Sequence, residues 1–239
     1  MKLGIMQPYF FPYIGYWQLM NHVDQYVIYD DVNFIKGGWV NRNRILNHGK
    51  VQFFNLTMKG ASPNKRINQI EIETDERVIR KNLRMLENCY GKAPYYKQTY
   101  ELICDMMFYK DSNLAGFLAN TIMRMAEYLG MNTKFILSSD LEKDNELRGQ
   151  DKVIHICRIL GADEYYNAAG GQELYDYVSF EEQGIRLKFI EAGPITYPQF
   201  GEEFIPNLSI IDVLMFNSLE DTRTYLNRFE TIQQEELSV

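Results

Sequence analysis

At 239 residues with a net charge of -7, the chain is long enough to bury a sizeable core, and its acidity argues against a sequence-independent nucleic-acid binder, which needs a basic face. No apolar stretch approaches the ~20 residues of a membrane span, and the first apolar run is too short, and too interrupted by Pro8 and Pro12, for a signal peptide. Cys89, Cys104 and Cys157 show no CxxC spacing, so they read as reduced thiols of a cytoplasmic protein.

The opening predicts a strand–loop–helix–strand unit. Leu3-Gly4-Ile5-Met6 reads as a buried strand. Gln7-Pro8 forces an extended exit, and Pro12 fits the first turn of a helix from about Tyr13 to His22. A second strand, Tyr26 to Tyr29, ends on Asp30 and Asp31. In an open parallel sheet, polar residues at the carboxyl ends of strands lie where ligands bind. The loop carrying Gln7, Tyr9 and Tyr16 therefore reads either as a phosphate- or nucleotide-facing loop or as an aromatic plug of the sheet end. The pattern from 32 to 73 predicts a β excursion: turns at Gly37-Gly38 and Asn47-His48-Gly49, an extended run Val51 to Leu56, a polar turn-rich loop at 59–66 that reads as an ordinary surface loop or a mobile flap, and a strand at 67–73. Strand alternation across Asn41-Arg42-Asn43-Arg44 puts both arginines on one face, suited to a phosphate or carboxylate, or paired with Asp30 or Asp31 on a solvated edge.

Thr74 reads as the cap of a helix from Asp75 to Asn88, followed by helices at about 95–110 and 112–129, a helical layer with Leu, Met and Phe at helical spacing. Strand 134–137 then leads to Ser138 and Ser139, and a charged loop leads through Arg148 into a helix from Asp151 to Leu160 bearing Lys152 and His155. His155 reads either as a structural histidine of that helix or as a candidate base. Strand 164–167 ends at Asn167, and Gly170-Gly171 opens a helix over 172–179, an arrangement suited to cradling an anion. Strand 184–190 is read as the last of the sheet, followed by Gln199 in a proline-punctuated loop, a helix at 210–217 capped by Ser209, and a polar helix from Leu219 to about Gln234.

The expected fold is thus α/β, an open and mostly parallel sheet with an inserted hairpin (about 32–73) and a helical layer (about 75–130), as one domain over 1–239; two lobes split near Asn132 are the alternative. No metal site is expected, since Asp30 and Asp31 would hold magnesium only alongside substrate phosphates. Nothing in the chain identifies a cofactor or an oligomeric state.

The segments QPYFFPYIGYW, VIYDDVNF, NRNRI, FILSSDL, GADEYYNAAGGQELYD, YPQF and FIPNLSIIDVLMFN resemble, in order, the motifs of the WbqC-like family, over nearly the whole chain. That family is associated with O-antigen and other surface-polysaccharide gene clusters, which implies a cytoplasmic role on a sugar precursor. A more distant resemblance links Tyr13-Ile14-Gly15-Tyr16 to the HxGH region of nucleotidylyltransferases and Ser138-Ser139 with Arg148 to their later ISSTxxR region, implying a Rossmann-like sheet. Both histidine positions of HxGH are tyrosine here, which weighs against nucleotidylyl transfer. The leading expectation is an acyl or aminoacyl transferase acting on a nucleotide-linked amino sugar or other small phosphorylated substrate. In it Arg42 and Arg44 hold anionic oxygens, Asp31 or His155 takes a proton, and Ser138, Asn167 and Gln199 orient hydroxyls. Asn41, Ser139, Arg148, Lys152, Gly170 and Gly171 complete the expected site. An adenylate-forming or nucleotidyl-transferring enzyme and a non-catalytic sugar-nucleotide-binding or scaffold protein are the alternatives.

Overall fold

A computed structural model describes residues 1–233. Its centre is a six-stranded sheet built from β1 (Lys2–Met6), β2 (Gln25–Ile28), β7 (Lys134–Leu137), β8 (Glu164–Ala168), β9 (Arg186–Ala192) and β10 (Phe229–Gln233). The order across the sheet is β10-β9-β8-β1-β2-β7, all parallel except β10, which runs antiparallel to β9. Counted in chain order this is 3-2-1-4-5-6, the order of Rossmann-like sheets, and its direction reverses between β1 and β8. A crevice opens at such a reversal because the chain leaves the two strands toward opposite sides.

Strand alternation builds two cores. Leu3, Ile5, Val27, Tyr165, Leu187 and Phe189 face helices α5 (Gly149–Leu160) and α6 (Tyr177–Glu181). Tyr26, Ile28, Tyr166 and Ile190 face the other way, into a cluster with α1 (Ile14–His22) and the long excursion between β2 and β7. That excursion holds the hairpin β3 (Arg42–Asn47) and β4 (Lys50–Asn55), the short pair β5 (Met58–Lys59) and β6 (Glu71–Ile72), and helices α2 (Glu76–Tyr90), α3 (Tyr96–Met107) and α4 (Leu114–Leu129). Helices α7 (Ile210–Phe216) and α8 (Leu219–Tyr225) join the same cluster through Ile210, Ile211, Leu214 and Leu226. Trp17 anchors α1 in it, fully buried, its indole N–H donating to the Pro12 carbonyl at 2.9 Å.

Several boundaries depart from the sequence pattern. Pro12 lies one residue before the Tyr13 N-cap instead of inside the first turn. Asp75, not Thr74, caps α2, accepting from the Arg77 N–H. The alternating run 67–73 folds as a 3₁₀ turn at Ile67–Gln69 and a two-residue strand, because Ile67, Ile70 and Ile72 all bury. The flap at 59–66 is tied back by main-chain bonds from Phe34 N–H to the Lys65 carbonyl and from Ile67 N–H to the Val32 carbonyl. Gly170-Gly171 sits within a 3₁₀ turn, Ala169–Leu174, and the helix beyond is the short α6. Finally, the expected carboxyl-terminal helix stops at Tyr225 and the chain adds β10 to the sheet edge; the Gln234 end of that helix lies outside the described residues. Among the described residues no helix is long and apolar enough to cross a membrane.

Candidate functional site

At the sheet reversal, between the carboxyl ends of β1 and β8, lies a cavity of about 590 Å³. This is within the size range of small-molecule sites. Met6 and Tyr9 come from the β1 exit, Asn167, Gly170 and Gly171 from the β8 exit, and Trp39 and Arg44 reach in from the excursion. Tyr13, Asn43, Leu174 and Asn207 also line it, and among the described residues Arg44 is its one charged lining residue. Arg44 donates from one terminal nitrogen to the Asn207 carbonyl at 2.8 Å, and its guanidinium lies 5.6 Å from the Trp39 ring centre. Its Nε is buried with no hydrogen-bond partner. A buried unpaired donor of this kind is costly unless a ligand satisfies it.

The loop geometry supporting this arginine is unusual. Phe11 and Asn207 hold positive φ values of 42° and 56°, a region that non-glycine residues rarely adopt. Phe11 is held there by total burial and by the Ser209 hydroxyl, which donates to its carbonyl at 2.7 Å. Beside it, the Asn43 amide donates to the Phe10 carbonyl and accepts from the Arg44 N–H, locking β3 against the β1 exit. Burial raises the pKa of both Tyr9 and Tyr13, with the neighbouring Tyr13 adding to the effect on Tyr9, so both present protonated hydroxyls and apolar ring faces. Opposite, the Asn167 amide donates to the hydroxyls of Tyr165 (2.6 Å) and Tyr175 (3.0 Å), while its carbonyl oxygen accepts from the Ala168 N–H. A Cβ on Gly171 would come within 3.1 Å of the Asn167 oxygen, whereas Gly170 faces open space.

One strand further along the edge is a buried charge cluster. Asp31 follows β2, and its Oδ2 lies 3.0 Å from Lys143 Nζ and 3.3 Å from Lys152 Nζ; the three side chains are 5%, 1% and 5% exposed. Burial pushes the Asp31 carboxyl up, but Ser138, Lys143 and Lys152 outweigh it and leave the pKa below its usual value. Ser138 is close enough to contribute to that lowering, yet neither its Oγ nor Asp31 Oδ1 completes a hydrogen bond of good geometry. Asp30 points elsewhere, accepting from the Ser139 N–H (2.9 Å) and the Asn68 amide (3.3 Å). Tyr29 packs beside the cluster. Lys152 Nζ lies 5.5 Å from its ring centre, and its hydroxyl pKa is raised by burial and then by Asp31 and Tyr175.

The other residues singled out from the sequence are placed as follows. Tyr16 is buried and donates to the Gln7 carbonyl at 2.6 Å, stapling the β1 exit to α1, while its ring packs on Tyr9. Asn41 bonds the Leu56 carbonyl and closes the base of the hairpin. Arg42 shares the Arg44 face of β3 but folds back onto the Gly37 and Gly38 carbonyls and over the Phe53 ring, outside the cavity lining. His155 Nε2 accepts from the Asp144 N–H at 3.1 Å, which makes it a tie for the loop that carries Lys143. Arg148 is exposed and turned onto the Asn145 carbonyl. Gln199 is bound to Asp212 Oδ1 (2.7 Å) and to the main chain of Ile205, in a buried group where Tyr90 and Tyr197 also donate to Asp212. Sequence reasoning passed over Trp39, Asn207 and Lys143. Gly-Gly-Trp was read only as a turn, and a lysine between Glu142 and Asp144 looks solvated until the loop path is known. Among the described residues no group of three or more His, Cys, Asp or Glu could hold a metal ion.

The WbqC-like protein family model matches residues 7–224. An uncharacterized protein of Mycobacterium tuberculosis, Rv1507c, is 27% identical over 229 residues, covering 94% of this chain and 97% of the relative. No solved structure matches.

Proposed function

Since the chain belongs to the WbqC-like protein family, we propose that it is a transferase of surface-polysaccharide precursor synthesis that moves an acyl or aminoacyl group onto a nucleotide-linked amino sugar. The observation that carries this reading is Arg44, a lone cation with a buried free donor, set among tyrosine, tryptophan and amide groups at the sheet reversal. Guanidinium suits the oxygens of a diphosphate, and flat aromatic faces with amides suit a base or a sugar. The open turn at Gly170 leaves room for close backbone approach. In the reaction the sugar amine nitrogen attacks the acyl carbon of an activated ester or thioester. The tetrahedral adduct then collapses with cleavage of the bond from the acyl carbon to the ester oxygen or thioester sulfur. The amine proton passes to Asp31 and from it to that departing atom, while the lysines beside Asp31 offset the charge that develops on the acyl oxygen.

A second reading, non-catalytic sugar-nucleotide binding, is favoured by the lowered pKa of Asp31, which makes it a weak base while both lysines hold it. Nucleotidylyl transfer loses support, because the Tyr16 hydroxyl donates inward to the Gln7 carbonyl. The test is a thermal-shift panel of nucleotide-linked amino sugars, acyl-CoA thioesters, amino acids and ATP, followed by mass spectrometry for turnover. A nucleotide sugar at 100 times its dissociation constant adds about 2.7 kcal/mol of stability. Stabilisation by a nucleotide sugar that is lost in Arg44→Ala supports the site; modification of the sugar separates the enzyme from the binding protein. Absence of any shift with every nucleotide sugar overturns both readings.

A further inference from the structure

We propose that Lys143 and Lys152 form a second, anion-accepting subsite that Asp31 occupies in the ligand-free chain, so that a phosphate-bearing co-substrate binds by displacing Asp31 from the two ammonium groups. This inference rests on the transferase reading for its role but not for its geometry. Two lysines from separate elements converge on one carboxylate oxygen, at 3.0 and 3.3 Å, the arrangement a bound phosphate or carboxylate oxygen would itself receive. The position is the carboxyl end of β2 beside that of β7, on the edge where an open α/β sheet takes ligands. Unused hydrogen-bonding capacity is already present there: Ser138 Oγ and Asp31 Oδ1 are both buried without a partner. Ser138 is fully buried with its hydroxyl beside the Asp31 carboxyl, so displacing that carboxyl leaves the hydroxyl to an incoming oxygen.

Access and release also follow from named contacts. Lys143 comes from an irregular loop, 141–148, whose outer residues Glu142, Asp144 and Asn145 are exposed while the lysine side chain turns inward. That loop is held to α5 by the Asp144 N–H bond to His155, and Lys143 also donates to the Ser138 carbonyl. Lys152, by contrast, is fixed on α5 against the Tyr29 ring. An anion entering past the loop would keep both lysines, gain the Ser138 hydroxyl and leave Asp31 unpaired. Asp31 would then be a stronger base than in the empty site, because the cations that depress its pKa have turned to the ligand. Binding of one substrate thus arms the carboxylate that acts on the other.

The test is calorimetric titration of the full chain with pyrophosphate at fixed ionic strength, for the wild type and for Asp31→Asn, Lys143→Met, Lys152→Met and Arg44→Ala. The internal competitor is removed in Asp31→Asn, so pyrophosphate is expected to bind about tenfold tighter or better. Each lysine variant is expected to weaken the binding at this subsite at least tenfold, whereas Arg44→Ala, which removes the cation proposed above to hold a diphosphate, is expected to abolish only a second binding phase and to keep the lysine-dependent one. Weaker or unchanged binding in Asp31→Asn overturns the proposal. So does loss of all binding in Arg44→Ala alone, which would assign the anion to the main cavity and leave the transferase reading standing. Should Asp31→Asn not fold, the lysine variants decide: full pyrophosphate affinity in both refutes the subsite.

Discussion

Replacing Asp31 by Asn keeps the side-chain shape and removes the one charge that both lysines contact. Lys143 and Lys152 are 1% and 5% exposed, so the variant leaves two buried ammonium groups converging on a neutral amide. Breaking a buried ion pair by removing one partner costs about 3–5 kcal/mol. In a chain of this length each kcal/mol moves the melting temperature by roughly 2–4 °C, so a fall of about 6–20 °C is expected. The lower part of that range applies if the 141–148 loop releases Lys143 to water; Lys152, on its helix, has no such escape. The assay is thermal unfolding by calorimetry at pH 7 in a phosphate-free chloride buffer. The double variant Asp31→Asn/Lys143→Met should regain part of the loss, because it removes one of the stranded charges. The pH dependence carries the same signature. The folded pKa of Asp31 lies below its ordinary 3.8, so its contribution is complete above that value and is lost as pH falls through the depressed one. The wild type should therefore show an acid-sensitive component that Asp31→Asn lacks. A variant that melts within about 2 °C of the wild type would refute the picture of a tightly held buried cluster.

Further outcomes follow from the same contacts. Arg44→Ala removes charge-assisted hydrogen bonds worth about 1.5–3 kcal/mol, so nucleotide-sugar affinity should fall roughly 10- to 100-fold in a titration, with little change in melting temperature. Gln199→Ala should do the reverse: it strips one donor from Asp212 and a tie to Ile205, lowering stability by about 1–3 kcal/mol while leaving ligand affinity unchanged. A Cβ on Gly15 would stand 2.5 Å from the Tyr13 ring and 2.9 Å from Ala192 Cβ, so Gly15→Ala should cost about 1–3 kcal/mol and weaken ligand binding by pushing Tyr13 into the cavity. Equal affinity in Gly15→Ala and the wild type would remove Tyr13 from the site.

The opening unit, the strands at 134–137 and 164–167 and the helix ending at Leu160 were legible because their signals are local. Apolar runs of strand length, Pro12 ahead of a helix and left-handed glycines Gly130 and Gly161 at helix ends act within a few residues. Asp31 and Asn167 stood out as polar groups at strand ends, Lys152 as a cation on the helix after a strand and Arg44 as one of two arginines on a strand face. Local signals therefore gave most of the elements, the polar edge of a parallel sheet and the family, but not β10 or the 3₁₀ turns at Ile67–Gln69 and Ala169–Leu174. Tertiary structure decided which of those polar groups meet. Arg42 and Arg44 share a strand face, yet only Arg44 reaches the cavity, because Arg42 finds carbonyls within its own turn. Gln199 and His155 are chemically apt and are committed elsewhere, to Asp212 and to Asp144, partners 13 and 11 residues away that no local pattern indicates. Lys143 is the converse case. In sequence it is a charge among charges, and only a loop that folds back over the end of β2 takes it out of water and against Asp31.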